Sequence, residues 1–282
     1  MIICYNMIVY NFVYNFRKSE VKKMKKLLAL VLALALCLFA FAGCGDKTPV
    51  SDDQVETTKK FTIATDKGFS PFEFQDADGN IVGIDMDILA AVAQDQGFTY
   101  DLQYVGWDAA IAACQSGQAD GMIAGASITD ERKKSGWIFS DGYYGATQGM
   151  AVAKDSDIAS FEDLKGKSVA VKNGTMSNQY AESLKDEYGF KIVTFSTSPD
   201  MYQAVTGGQV VACFDDTPIL KYNIKIGELD MKFVEGTENE PAQYGMAIFD
   251  AKNQELLDLF NAGLKNIKEN GKYDEIIAKY LG

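Results

Sequence analysis

The chain contains no histidine. That absence excludes the Ser-His-Asp and Cys-His arrangements of nucleophilic catalysis and every histidine-ligated metal site. No P-loop and no dinucleotide fingerprint occur either, so neither a metal nor a cofactor is expected. Positive charge is scarce: 27 Lys and Arg face 39 Asp and Glu, a formal net charge of −12. Six of those bases (Arg17, Lys18, Lys22, Lys23, Lys25 and Lys26) sit in residues 1–43 beside one acid, Glu20, which leaves −17 for the remainder. A body this acidic has no clustered bases to displace counterions from phosphates, which excludes a nucleic-acid partner. No apolar run reaches the ~20 residues of a membrane-spanning helix; the stretch Leu27 to Phe41 has 15. Cysteine is sparse beyond the N-terminal segment. Cys4, Cys37 and Cys44 lie within it, and Cys114 and Cys213 fall in apolar stretches that read as core, so no disulfide is expected.

What is present begins with the leader. The run LLALVLALALCLFAF follows Lys25 and Lys26, has signal-peptide length, and ends in Phe41-Ala42-Gly43-Cys44. That ending resembles the lipobox of bacterial lipoproteins, and the resemblance implies that Cys44 is acylated through its sulfur and becomes the mature N-terminus. An ordinary signal-anchor with a chance cysteine is the alternative. Residues 1–43 thus read as a signal peptide. Because its basic region is normally short, residues 1–23 read as a misassigned start and MKKLLALVL, from Met24, as the natural beginning. Residues 44–60 are polar without apolar periodicity and read as a flexible tether.

From Phe61 onward, short β-rich runs alternate with helical patterns, which argues for an α/β protein with mostly parallel sheets. The candidate strands are FTIAT (61–65), YDLQYV (100–105), DGMIAG (120–125), SVAVK (168–172), KIVTF (191–195) and VVACF (210–214). Between them, 85–96 places Ile88, Leu89, Val92 and Ala93 on one face and stops at Gly97, as an amphipathic helix does. Ser198-Pro199 reads as a cap followed by an N1 proline. A helix, Gly-Gln, strand succession occurs at Gly117-Gln118 and again at Gly208-Gln209, implying two similar lobes. Near the end, Leu256, Leu257, Phe260, Leu264 and Ile267 follow helical spacing. The expectation is one lobe of residues 61–145 plus 243–282 and a second of 146–242.

Ligands of open α/β sheets bind beyond the carboxyl ends of the strands. Asp66 and Phe69 follow the first strand, Trp107 the second, and Ser127, Thr129 and Arg132 the third. In the second lobe Lys172 ends a strand, and Asp215 with Asp216 follow another. Aromatics, both kinds of strong base and three carboxylates converging on one cleft suit a zwitterion with a polar side chain. Plainer readings exist for each residue alone. Arg132 stands at capping-box spacing from Thr129, Asp215 and Asp216 could form a turn before Pro218, and Phe69 or Trp107 could be core. Asp85 and Asp87 read as cap and dipole partners near a helix start and are left out of the site.

The motifs ATDKGFSPFEF, VGIDMDILAAVA, SITDERKKSGWIFSDGYYG, AVKNGT, FDDTPIL, QYGMAI and ENGKYDEIIAKYLG, in that order, resemble the polar amino-acid-binding proteins of bacterial ABC importers (solute-binding protein family 3). Within that family the pattern is nearest the glutamine binder. The resemblance spans nearly all of 61–282. It implies a two-lobed, periplasmic-binding-protein-like (type II) α/β fold, with hinge strands crossing near 146–152 and 244–248. It also implies a free amino acid as ligand, glutamine first and asparagine or a basic amino acid next, and the permease of an ABC importer as partner; the lipobox adds a membrane-anchored extracytoplasmic location on a Gram-positive cell surface, and a monomer is expected. By the same resemblance Arg132 takes the ligand's α-carboxylate, assisted by Ser127 and a backbone amide near Met176. Asp216, the Gly125 carbonyl and the Ser127 hydroxyl take the ammonium; Phe69 and Trp107 sandwich the side chain; Asp66 and Lys172 read its far end. Two departures bear on specificity: Asp215 replaces a histidine and Met176 a glycine. A dehydratase-like enzyme acting on a small carboxylic acid, as in a few two-lobed relatives, is the rival reading.

Overall fold

The computed structural model describes residues 58–282, so the leader, Cys44 and most of the expected tether lie outside the described residues. The tether is shorter than expected at its far end: the Lys59 carbonyl already accepts from Thr99 N–H at 2.8 Å, and Lys60 opens the first strand.

The first lobe begins with β1 (Lys60–Thr65), the short hairpin β2 (Phe74–Gln75) and β3 (Ile81–Val82), and α1 (Ile84–Gln96). It continues through β4 (Thr99–Tyr104), α2 (Trp107–Gln115), β5 (Gly121–Met122), α3 (Asp130–Lys134) and β6 (Ile138–Phe139). After β7 (Tyr144–Ala146) come β8 (Gln148–Ala153), β9 (Ser168–Lys172), α4 (Met176–Tyr188), β10 (Lys191–Phe195) and α5 (Ser198–Thr206). There follow β11 (Ala212–Asp216), α6 (Thr217–Lys225), β12 (Met231–Val234), β13 (Ala242–Tyr244), β14 (Ala247–Ile248), α7 (Gln254–Glu269) and α8 (Lys272–Leu281).

Two five-stranded sheets result, in the orders β4-β1-β5-β14-β6 and β10-β9-β11-β8-β12. In each, three parallel strands are followed by one antiparallel to both its neighbours. That odd strand is in both cases the one arriving from the other lobe: β8 directly after β7, and β14 directly after β13. The crossings themselves are the antiparallel pair β7 and β13, Ala146 opposite Ala242 and Tyr144 opposite Tyr244. They therefore lie a few residues N-terminal of the expected segments. Gln148 to Val152 is buried without interruption and lies within the second sheet. An apolar run announces a strand but not the sheet it joins.

The inner strands of the sheets are buried on both faces, as parallel strands under helices must be. In the second lobe Val169, Val171 and Phe214 pack toward Ala181 of α4, whereas Ala170 and Cys213 pack toward Met201 and Val205 of α5. Cys213 and Cys114 are both buried free thiols. In the first lobe Ile88, Leu89 and Val92 of α1 share one core with Leu256, Phe260 and Leu264 of α7. The helices approach closely at Gly263, where a Cβ would fall 2.8 Å from Val92 Cγ1. Among the described residues no helix is long and apolar enough to cross a membrane.

Three local expectations need correction. The strand expected at 120–125 is confined to Gly121–Met122, and Gly125 turns into the left-handed region at φ +55°. The strand expected at 210–214 runs Ala212–Asp216, so both aspartates are strand residues with backbones held against β8. The cap of α5 is Thr197, whose hydroxyl accepts from Asp200 N–H at 3.2 Å, placing Ser198 inside the helix.

Candidate ligand-binding cleft

The carboxyl ends of β1, β4 and β5 face those of β9 and β11, and one enclosed cavity lies between them. Its lining comprises Asp66, Phe69, Trp107, Gly125, Ser127, Arg132, Lys172, Met176, Asp215 and Asp216, together with Ala124 and Thr175. All ten residues singled out in the sequence are thus brought to one place. The cavity holds about 20 Å³, room for one or two waters.

Lys172, the last residue of β9, pairs directly with Asp66, which follows β1, and each is only 2% exposed. The pair therefore bridges the lobes. Its ammonium also sits 5.5 Å from the Phe69 ring centroid and 6.0 Å from that of Trp107, within the range in which an aromatic face attracts a cation.

Arg132 is 6% exposed. The helix-start reading is half right, since Thr129 Oγ1 accepts from its backbone N–H at 3.1 Å, but the side chain is not solvated. Its guanidinium carbon lies 5.1 Å from the Trp107 centroid and 5.0 Å from that of Trp137. One nitrogen donates to the Ser127 carbonyl at 2.9 Å and the other reaches the Gly174 carbonyl in the opposite lobe at 3.4 Å. Burial lowers its pKa to about 10, opposed by the charge of Asp216; it remains a cation at neutral pH.

The two acids at the end of β11 have different surroundings. Asp216 Oδ1 accepts from Gln148 Nε2 at 2.8 Å and Ser177 Oγ at 3.1 Å, and Oδ2 accepts from Tyr244 OH. Asp215 accepts from Tyr202 OH at 2.5 Å and from the Asp216 backbone N–H at 2.8 Å. Burial, then the neighbouring Asp216, pushes Asp215 up to about 6; burial likewise raises Asp216, against the pull of its hydrogen bonds and Arg132. Sequence reasoning missed the shell that orients these groups: Tyr202, Tyr244, Gln148, Ser177 and Trp137. Tyr244 and Trp137 fall inside motifs quoted above, but no local pattern signals that a hinge tyrosine reaches an acid in the other lobe. Met176 opens α4, where the first-turn amides present the positive end of the helix.

Two lobes, a hinge pair, and an interlobe cavity lined by a buried arginine and a buried aspartate are thus in place. The chain belongs to the bacterial extracellular solute-binding proteins, family 3, whose model matches residues 61–282. It is 32% identical over 259 residues to the arginine-binding extracellular protein ArtP of Bacillus subtilis, covering 92% of this chain and 98% of that one. Among solved structures it resembles an ancestral arginine-binding protein, seen bound to arginine and bound to glutamine, at 36% identity and a TM-score of 0.72 over 79% of this chain and 98% of that one. It also resembles substrate-binding domain 2 of Lactococcus lactis GlnP in its open conformation, at 41% identity and a TM-score of 0.56 over 80% and 96%. Amino-acid binding for transport is therefore the class of function the chain shares with its relatives.

Removing one partner of a buried ion pair leaves the other charge uncompensated, at about 3–5 kcal/mol. Asp66→Ala is expected to lower the free energy of unfolding by about that amount in urea titration, whereas removing Lys279 from its exposed contact with Asp87 should change it by less than ~1 kcal/mol.

Proposed function

We propose that this protein is an extracytoplasmic lipoprotein, anchored through Cys44, that captures a polar amino acid between its lobes, glutamine first, and delivers it as a monomer to the permease of an ABC importer. The observation that carries the glutamine reading is the Lys172–Asp66 pair within reach of both aromatic rings. A side-chain amide accepts from an ammonium and donates to a carboxylate at once, so it can insert between the two without leaving either unpaired. A guanidinium in the same slot would meet the like charge of Lys172.

The other end of the ligand has its partners in place. The Arg132 fork matches a carboxylate, and its present bonds to the Ser127 and Gly174 carbonyls are ones an anion displaces. Asp216 uses three of its roughly four lone-pair positions on Tyr244, Gln148 and Ser177. The remaining one, with the Gly125 carbonyl and the Ser127 hydroxyl, suits an α-ammonium. Parting of the lobes about β7 and β13 admits the ligand, and closure brings Lys172 and Asp216 onto a molecule first held by Arg132, Ser127 and the rings. The ligand then shifts the population toward the closed form. A basic amino acid is the second reading, favoured by Asp215, which adds an acid to the lining, and by the likeness to arginine-binding relatives.

Calorimetric titration of the purified protein against glutamine, asparagine, glutamate, lysine, arginine and histidine tests the assignment. Saturable heat with glutamine near ~1 μM, about −8 kcal/mol, and little with arginine is the expected result. A preference for arginine transfers the specificity to Asp215. Arg132→Ala should weaken binding by about one to three orders of magnitude, the ~2–5 kcal/mol lost when one partner of a desolvated charge pair is removed; unchanged affinity would remove Arg132 from the site.

The anchor is a separate matter, resting on the lipobox at Cys44, outside the described residues. Acyl chains on that cysteine would hold the protein at the membrane without spanning it. Cys44→Ser should release the protein into the medium or leave the precursor uncleaved. A cleaved variant still fractionating with membranes would disprove the anchor.

A further inference from the structure

Under the cleft floor, the first lobe buries two carboxyl groups that do not line the cavity. Glu73 and Asp85 are both at 0% exposure, so Asp85 is no exposed helix-dipole partner as its place near the start of α1 implied. Its Oδ2 accepts from Gly125 N–H at 2.8 Å and from Tyr143 OH at 2.8 Å. Glu73 is tied through its backbone to Phe69 in both directions, Phe69 N–H donating to the Glu73 carbonyl at 2.9 Å and Glu73 N–H to the Phe69 carbonyl at 3.2 Å. The Asp85 carboxyl thus holds Gly125, whereas Glu73 is joined to Phe69 through backbone alone; Asp85 N–H donates to the Phe72 carbonyl at 3.0 Å, which sets the two acids beside each other. Gly125 and Phe69 touch: a Cβ on Gly125 would fall 2.6 Å from Phe69 Cε1. Yet neither oxygen of Glu73, nor Oδ1 of Asp85, meets a donor among the described residues. Buried polar atoms of native proteins are nearly always satisfied, and two like charges side by side in an apolar floor cannot both ionise cheaply.

We propose that Glu73 and Asp85 share a single proton, and that this carboxyl–carboxylate pair is the positioning element that keeps the Phe69 ring and the Gly125 carbonyl in place for the ligand. The inference rests on the reading of the cleft as an amino-acid site. One proton between the two groups pairs one Glu73 oxygen with Asp85 Oδ1 and removes one of the two buried charges.

The surroundings agree. Burial, then the charges of Asp85 and Asp66, holds Glu73 well above the usual carboxylate range, with Lys172 pulling the other way. Burial raises Asp85 to about 7 against its bonds from Gly125 and Tyr143. Tyr143 is itself pushed up by burial and by both acids. Tyr104 feels Glu73, and Tyr273 feels Asp85. The direction of the pH effect follows. Unfolded carboxyls release their protons near ~4, so above that pH the folded state binds more protons than the unfolded one. Stability therefore falls as pH rises toward the pair's raised range. Loss of the shared proton sets the acids against each other and loosens Phe69 and Gly125.

The test compares the wild-type protein with Glu73→Gln, whose amide donates to Asp85 at every pH, and with Asp85→Asn, which keeps an acceptor for Gly125. Between pH 6 and 9 the wild-type affinity for glutamine should fall at least fivefold further than that of either variant. Titration of Asp215 and of the ligand's own ammonium is common to all three proteins and cancels. Parallel pH profiles in folded proteins would overturn the proposal. Melting temperatures without ligand give a second reading: the wild type should lose stability from pH 6 to 9 more steeply than Glu73→Gln, and equal slopes would also overturn it. Absence of glutamine heat at every pH would sink the binding reading, while the melting comparison still decides whether the proton is shared.

Discussion

The structure turns on a charge pair held away from bulk water, each member 2% exposed. Lys172 and Asp66 stand at corresponding points of the two lobes, each at or just past the carboxyl end of the strand second in its sheet. Desolvating two ions costs several kcal/mol apiece, and each is compensated only while the other lobe is near. Equivalent positions in the two halves thus carry opposite charge, and the fold's internal symmetry becomes an attraction across the cleft. The same arrangement makes the pair exchangeable, since any guest that both donates and accepts restores what separation takes away.

The hinge takes part in this chemistry. Tyr244 belongs to β13, one of the two crossing strands, yet its hydroxyl donates to Asp216 at the end of β11, and its backbone bridges Ser127. A side chain on the pivot touches the second-lobe acid while its own strand touches the first-lobe rim. Rotation about the pivot and the hydrogen-bonding state of the cleft are then mechanically linked, without any relay through the helices.

Much of this was legible in the chain. Strands 168–172 and 191–195 are found at the expected residues, the first as a short apolar block buried under helices and the second, at the sheet edge, through its β-branched and aromatic residues. The residues following strand ends were legible too, since chain direction alone says which end of a parallel sheet they occupy. Three things were not. Asp215 and Asp216 were placed after a strand that in fact contains them, because polar residues at a strand's end look like its stop signal. The role of Asp85 was hidden, since an acid in a first helical turn has a sufficient local explanation, and only the tertiary structure shows its partners to be Gly125 and Tyr143. The Lys172–Asp66 contact joins residues 106 apart in sequence, a distance at which no periodicity operates.

The double crossing at β7 and β13 also sets an order of events. The second sheet is drawn from one uninterrupted stretch of chain, whereas the first needs β14, which comes after that stretch has ended, and its core needs α7. During synthesis, or threading through a pore from the N-terminus, the second sheet has all its strands while the first still lacks one. The half that begins the chain is therefore the last to have all its strands, and joining its ends closes a loop around a neighbour whose strands all precede β14.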